Sequence, residues 1–460
     1  MALVEAAELV ERIWARDASL WTGSDEARWL GWLDEPLRTL ERVPDLLQLA
    51  EETAELDHLV LLGMGGSSLA PEVLRRTFDI DRLHVLDSTH PAAVRRLAES
   101  LDLESTLFVV ASKSGSTLET RCHLDFFWER AGKNGSSFAA VTDPGSELDA
   151  LARERGFHAV FHGEPTIGGR YSALSVFGMV PAALMGIDVK DLAERAALAV
   201  EDCRGLDNNH GLELGLALGS GWRDGRDKVL VVPDPGGFGL WAEQLLAEST
   251  GKAGKGLVPV PGESAPGPDR QVAEVLISEG YDLGIEFYRW EFATAVAGAI
   301  LGINPFDQPN VQEAKDNTAR ILKEGLPEVE AGSLEELLAK ASPPHYISIL
   351  GYVTPSDEFD AAVTELRAKL RDSTKCTTTF GYGPRYLHST GQYHKGGPPN
   401  GLFIQLFQGA EEDIEIPEAG YSFEYLKSAQ ALGDMQTLRA HGLDVVRVDV
   451  DGPDAVRRLI

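Results

Sequence analysis

Near Leu56 the hydrophobic pattern of this chain changes period, and few architectures are compatible with the pattern that follows. Before that point apolar residues recur at helical spacing, in Leu3–Ala15 and Trp29–Leu49, and predict helices. After it come short apolar runs, at Leu59–Leu62, Leu83–Leu86, Leu107–Ala111, Phe138–Val141 and Ala159–Phe161. Helical stretches such as Glu72–Thr77 and Thr117–Arg130 separate them. A strand that is apolar throughout must be covered on both faces, and intervening helices do this when the strands run parallel. The expected fold class is therefore α/β, with doubly wound parallel sheets.

The alternation repeats further along. A helical bridge, Ala173–Leu218, leads to a second set: strand Lys228–Val232, helix Leu240–Glu248, strand Leu257–Val260 and helix Glu291–Leu301. Pro261–Asp269 reads as a loop. Beyond Gly332 a third set begins, with strands at Tyr346–Val353, Thr377–Phe380, Leu402–Phe407 and Val445–Val448. Helices Asp357–Leu370 and Phe423–Arg439 complete it, in a β-α-β-β-α-β order that would suit a ferredoxin-like α+β module. At 460 residues the chain is too long for one ordinary core. We divide it into a helical segment 1–55, α/β subdomains 56–220 and 221–331, and a C-terminal α+β region 332–460.

A formal net charge of -30 argues against nucleic acid or an anionic membrane as partner, since both would repel this surface. An anionic ligand would have to be held by a local site against the global field. The three cysteines, Cys122, Cys203 and Cys376, have no metal-type spacing and point to a reducing compartment. Met1–Arg16 is amphipathic and acidic, unlike a signal peptide, and no apolar run approaches membrane-span length, so a cytoplasmic protein is expected.

Several short segments fall where parallel sheets bind ligands, just past strand ends. Gly63-Met64-Gly65-Gly66-Ser67-Ser68-Leu69 lets backbone approach a ligand at a helix N-terminus, although a tight strand-to-helix turn would look the same. Ser112-Lys113-Ser114-Gly115-Ser116-Thr117 brings hydroxyls and an ammonium to the next such junction, a cradle suited to phosphate. Glu119 could alternatively make this a capped helix start. Arg170, after Gly168-Gly169, could hold charge developing on oxygen. Gln244 and Glu248 share one helical face, and Glu248, in Glu248-Ser249-Thr250-Gly251-Lys252, could act as a general base. By default it would be a surface glutamate. Asp307-Gln308 and Lys315 follow, and His388 and His394 lie in a Gly-rich segment that reads as a functional loop rather than a metal site.

Taken together and in order, these segments resemble the glucose-6-phosphate isomerase family. Gly63–Pro71 is similar to its glycine-rich sugar-contact motif, Ser112–Thr120 to its phosphate loop and Gly168–Ser172 to its Gly-Gly-Arg motif. Glu248–Lys252 resembles its Glu-Ser-x-Gly-Lys signature, and Phe306–Lys315 its Phe-Asp-Gln stretch. The resemblance implies a sugar-isomerase fold and an aldose–ketose isomerase using a small sugar phosphate, no metal and no cofactor, in a homodimer. It implies that Ser112, Lys113, Ser114 and Thr117 hold phosphate, and that Gly66, Ser67, Gln244 and Gln308 contact the sugar. Glu248 would move a proton between C2 and C1, Arg170 would stabilise the enediolate, and Lys315 would assist ring opening.

Two departures stand out. The family's catalytic histidine lies between the glutamate and the lysine, whereas residues 249–314 here contain no histidine. His388-Ser389-Thr390-Gly391-Gln392-Tyr393 is similar to the His-Ser-x-Gly-Gln segment of short bacterial members, displaced beyond Lys315. His388 is accordingly expected to open the sugar ring and to belong to a partner subunit's site. Residues 330–460 otherwise resemble the isomerase half of transaldolase–isomerase fusions. The alternatives are an isomerase of mannose 6-phosphate or an amino-sugar phosphate, and a sugar-phosphate-binding regulator without catalysis.

Overall fold

The computed structural model describes residues 3–460. Strands β1 (His58–Gly63), β2 (Leu83–Leu86), β3 (Thr106–Ala111), β4 (Phe138–Thr142) and β5 (Ala159–His162) form a parallel sheet in the order β2-β1-β3-β4-β5. The continuous apolar runs have a direct explanation in its two faces. Leu59, Leu61, Leu107 and Val109 join one core cluster, while Val60, Leu62, Phe108 and Val110 join another on the opposite side. Each such side chain taken out of water contributes about 1.5–3 kcal/mol.

Helices Leu3–Trp14 and Glu35–Glu52 occupy the N-terminal segment, and Val176–Leu184, Val189–Asp202 and His210–Arg223 make the bridge. A second parallel sheet follows, with order β7-β6-β8, from β6 (Lys228–Val232), β7 (Val258–Pro261) and β8 (Arg270–Glu274). Strand β8 escaped the sequence reading because Arg-Gln-Val-Ala-Glu has almost no apolar period. It is an edge strand whose Val272 is 63% exposed. Helix Leu283–Leu301 begins well before the expected Glu291, since it is buried on nearly every side and shows no amphipathic stripe.

The third sheet, β9 (Tyr346–Tyr352), β10 (Thr377–Tyr382), β11 (Gly401–Phe407) and β12 (Asp444–Asp449), has the order β10-β9-β11-β12. All its pairings are parallel, which corrects the ferredoxin-like α+β expectation for 332–460: this region too is α/β. The order of elements was right. The direction of β11 was not legible, because Lys395–Asn400 looks like a hairpin connection while the preceding short helix Gly391–Gly396 reverses the chain. One face of this sheet, with Leu350, Phe403 and Phe407, shares a core with Leu230, Ala247, Val258 and Val260 of the second sheet and its helix. That shared core fixes the segment between β10 and β11 against helix Phe238–Thr250.

Candidate active site

Three glycine-bearing turns meet above the carboxyl end of β1. Gly65 has φ +54, and a Cβ there would lie 2.8 Å from the His388 carbonyl oxygen and 2.9 Å from Gln244 Nε2. A Cβ on Gly66 would lie 2.0 Å from the Gly169 carbonyl oxygen, so only glycine admits the approach of the Gly168–Ser172 turn. Ser67 follows, buried, just before helix Leu69–Thr77. The tight-turn reading and the ligand reading thus describe the same backbone.

Beside this turn β3 ends in the hydroxyl-rich loop. Ser112 Oγ lies 3.0 Å from Thr117 Oγ1 and accepts from the Gly115 amide at 3.1 Å, which curls the loop ahead of helix Leu118–Arg130. Ser114 and Ser116 share a 2.8 Å hydrogen bond and remain exposed. Hydroxyls and free amides at a helix N-terminus suit an oxyanion. The Lys113 side chain does not join them. Its ammonium bonds Asp143 Oδ2 at 2.5 Å and the Glu164 carbonyl at 3.2 Å, so its charge is already paired. Glu119, for its part, is not a helix cap.

Helix Phe238–Thr250 carries Gln244 and Glu248 one turn apart. Gln244 Nε2 donates to Glu248 Oε2 at 3.0 Å and to the His388 carbonyl at 2.8 Å. Arg170 Nη1 reaches Glu248 Oε1 at 3.0 Å and donates to Gln308 Oε1 at 3.1 Å. The rest of that guanidinium is fixed: Nε donates to Ser249 Oγ at 2.8 Å, and Nη2 to the carbonyls of Pro305 and Asp307 at 2.8 and 2.9 Å. Its side chain is 1% exposed against 13% for Glu248, so a rigid buried cation faces a carboxylate that keeps one open side. Lys252 anchors the same loop through the Asn304 and Asp307 carbonyls and the Asp307 carboxylate at 2.6 Å. Burial first, then the Arg170 charge, bring its pKa down to about 7.

His388 stands at the end of a turn, Arg385–His388, and its Nε2 lies 3.0 Å from Glu119 Oε1. Gln430 Nε2 donates to the same oxygen at 2.7 Å and is itself held by Thr89. Burial alone would raise Glu119, but the His388 charge and hydrogen bond, with Lys315 further off, hold it down to about 2. Within this chain the His388 carbonyl adjoins the Gln244–Glu248 group. The displaced segment returns because the third sheet packs against the second.

Lys315 lies exposed on helix Val311–Glu324 and forms no ion pair among the described residues. His394, expected in a loop, is in the core beside Tyr346, Tyr386 and Phe403, where burial drives its pKa well below 6.5. Sequence reasoning missed Ser249, Glu119 and Gln430 as supporting groups. Glu119 had a signal, being two residues past Thr117; Gln430 had none.

Parallel sheets with a hydroxyl-rich loop, a carboxylate and a rigid arginine at their carboxyl ends fit a sugar-isomerase fold. Residues 49–202 match the family model described as phosphoglucose isomerase. A glucose-6-phosphate isomerase of Gloeothece citriformis is 34% identical over 264 residues, 53% of this chain and 49% of the relative. One from Rubrobacter xylanophilus is 27% identical over 370 residues, 60% of this chain and 86% of the relative. The chain spans about half the length of the Gloeothece and Cyanothece relatives it matches. Among solved structures, a hypothetical protein of Thermus thermophilus covers 99% of this chain and 86% of its own, at TM-score 0.51 and 22% identity. A glucose-6-phosphate isomerase from Chlamydia trachomatis covers 68% and 78%, at TM-score 0.52 and 20% identity. Both share the fold. Among the described residues no helix is long and apolar enough to cross a membrane.

Proposed function

We propose that this protein interconverts glucose 6-phosphate and fructose 6-phosphate. The observation that carries the reading is the Glu248 carboxylate, open on one side, gripped by Arg170 at 3.0 Å and Gln244 at 3.0 Å. A base aligned from both oxygens can take a proton from carbon in a fixed direction. Substrate phosphate would sit on Ser112, Ser114 and Thr117 at the helix N-terminus, with the Gly66–Ser67 backbone and Gln308 along the sugar. His388, oriented by Glu119, would exchange a proton between ring oxygen and hydroxyl to open the ring. Lys315 would add a positive field to that side.

Glu248 then removes the proton from C1 of the open ketose and returns it to C2, through a cis-enediolate. Arg170, its N–H groups held by Ser249, Gln308, Glu248 and the Pro305 and Asp307 carbonyls, would stabilise the negative oxygen through its fixed charge rather than by a free donor. Gln244 Oε1 is buried and has no partner among the described residues, which fits an acceptor kept for a sugar hydroxyl. The test is a coupled assay: fructose 6-phosphate is supplied and glucose 6-phosphate is consumed by an added dehydrogenase. Saturable reduction of the dehydrogenase's cofactor is expected, and its absence at millimolar substrate would reject the reading.

A further inference from the structure

We propose that a second, non-catalytic site for a small phosphorylated polyol lies on the far side of helix Phe238–Thr250 from Glu248. A cavity of about 910 Å³ opens there between the three sheets, and none of the residues assigned to the reaction lines it. Arg76, Arg367 and Arg385 approach it from three separate elements. Their protein partners leave donors over. Arg76 bonds Glu72 through Nε, and Arg385 bonds Asp87 through Nη1 at 3.4 Å. Arg367 bonds Thr378 and the Pro261 carbonyl through Nε and Nη2. The remaining guanidinium nitrogens make no protein hydrogen bond among the described residues.

Glu243 stands in the same wall, 8% exposed, with no hydrogen-bond or ion-pair partner among the described residues. Its carboxyl oxygens open into the cavity, where a ligand could reach them. Burial raises it to about 8 despite the charges of Arg367 and Arg385, so near neutrality it does not cancel those cations. A phosphate would take donors that Arg76, Arg367 and Arg385 leave free, because a guanidinium supplies paired donors in a plane. Asp234 and Glu243 supply acceptors for hydroxyls on the same ligand, which a bare anion would not use. Asp87 is paired with Arg385, and Asp81, Asp357, Glu358 and Asp360 also line the cavity, so the arginines' free donors rather than the net charge of the wall would hold the phosphate.

Glycerol 3-phosphate is the probe, followed by calorimetry on the full chain. The Ser114→Ala/Thr117→Ala variant removes the catalytic phosphate loop, so binding that persists there reports the cavity. We expect one saturable site in that variant. Adding Arg367→Gln, or separately Arg76→Gln at a half-exposed position that folding tolerates, should weaken it about tenfold or more, as loss of a charge-assisted hydrogen bond does. Inorganic phosphate should bind more weakly than glycerol 3-phosphate, and glycerol not at all. Loss of all binding in Ser114→Ala/Thr117→Ala would overturn the second site. Unchanged affinity in both arginine variants would do the same, and equal affinity for inorganic phosphate would overturn the polyol part.

Discussion

Glu248 is held at both oxygens, and its replacement separates basicity from shape. Glu248→Gln keeps a hydrogen bond to Arg170 or Gln244 but cannot take a proton. Turnover should fall by about a hundredfold or more, within the range of a general base, with little change in substrate affinity. Steady-state kinetics with fructose 6-phosphate checks this, and retention of more than about a tenth of the activity would place the base elsewhere. The His388–Glu119 pair makes a different prediction. Glu119 titrates near 4.5 when free and is held down to about 2 in the fold. A depressed carboxyl stabilises the native state fully above its free pKa, and that contribution disappears as pH falls through the folded value. The urea midpoint of the native protein should therefore exceed that of Glu119→Gln at pH 6, and the gap should narrow toward pH 2. A gap that stays constant with pH would mean that the carboxylate gains nothing from His388. Glu248 and Arg170 were legible in the sequence because each follows or precedes a recognisable turn. The Glu119 pairing was not, since its partners, His388 and Gln430, come from beyond residue 380.

At the level of elements, strand-to-helix turns do most of the placing. The central strands β1, β3, β9 and β11 were readable because both faces of the first and third sheets are buried there, so these strands are apolar over most of their length. Strand β8 was hidden for the opposite reason, being a polar edge whose position is held by pairing to β6 and by the buried Arg270–Glu263 contact at 2.8 Å. Close backbone approach gives the sharpest elemental prediction. Gly66→Ala would drive a methyl into the Gly169 carbonyl, and backbone on both sides has little room to yield. Overpacking of this kind costs about 1–3 kcal/mol, so the urea midpoint should drop and turnover should fall with it as Arg170 shifts. The phosphate loop should behave otherwise. Ser114→Ala with Thr117→Ala should raise KM for fructose 6-phosphate much more than it lowers kcat, because phosphate does not react. Equal loss in both parameters would mean that the loop also positions the reacting carbons.

For the molecule as a whole, three sheets pack so that Arg170, Glu248 and the His388 segment come together from distant parts of one chain. Parallel topology in the first two units followed from alternation of period. The third unit's parallel direction, and its docking on the second, depended on a shared core of Leu350, Phe403 and Phe407 with Val258 and Val260, which no local pattern announces. Assembly within one chain predicts that Glu248→Gln and His388→Ala chains, unfolded and reassembled together, recover nothing. Return of about a quarter of native activity, the count for random pairing in a two-fold dimer, would show sharing across subunits. The most direct test of the account follows the proton itself. Fructose 6-phosphate is incubated with the protein in D2O, and the glucose 6-phosphate formed is examined by proton NMR. An enediolate path through a single carboxylate predicts conversion with deuterium entering at C2, and neither conversion nor exchange with Glu248→Gln. Conversion that leaves C2 free of solvent deuterium while Glu248→Gln remains active would contradict it.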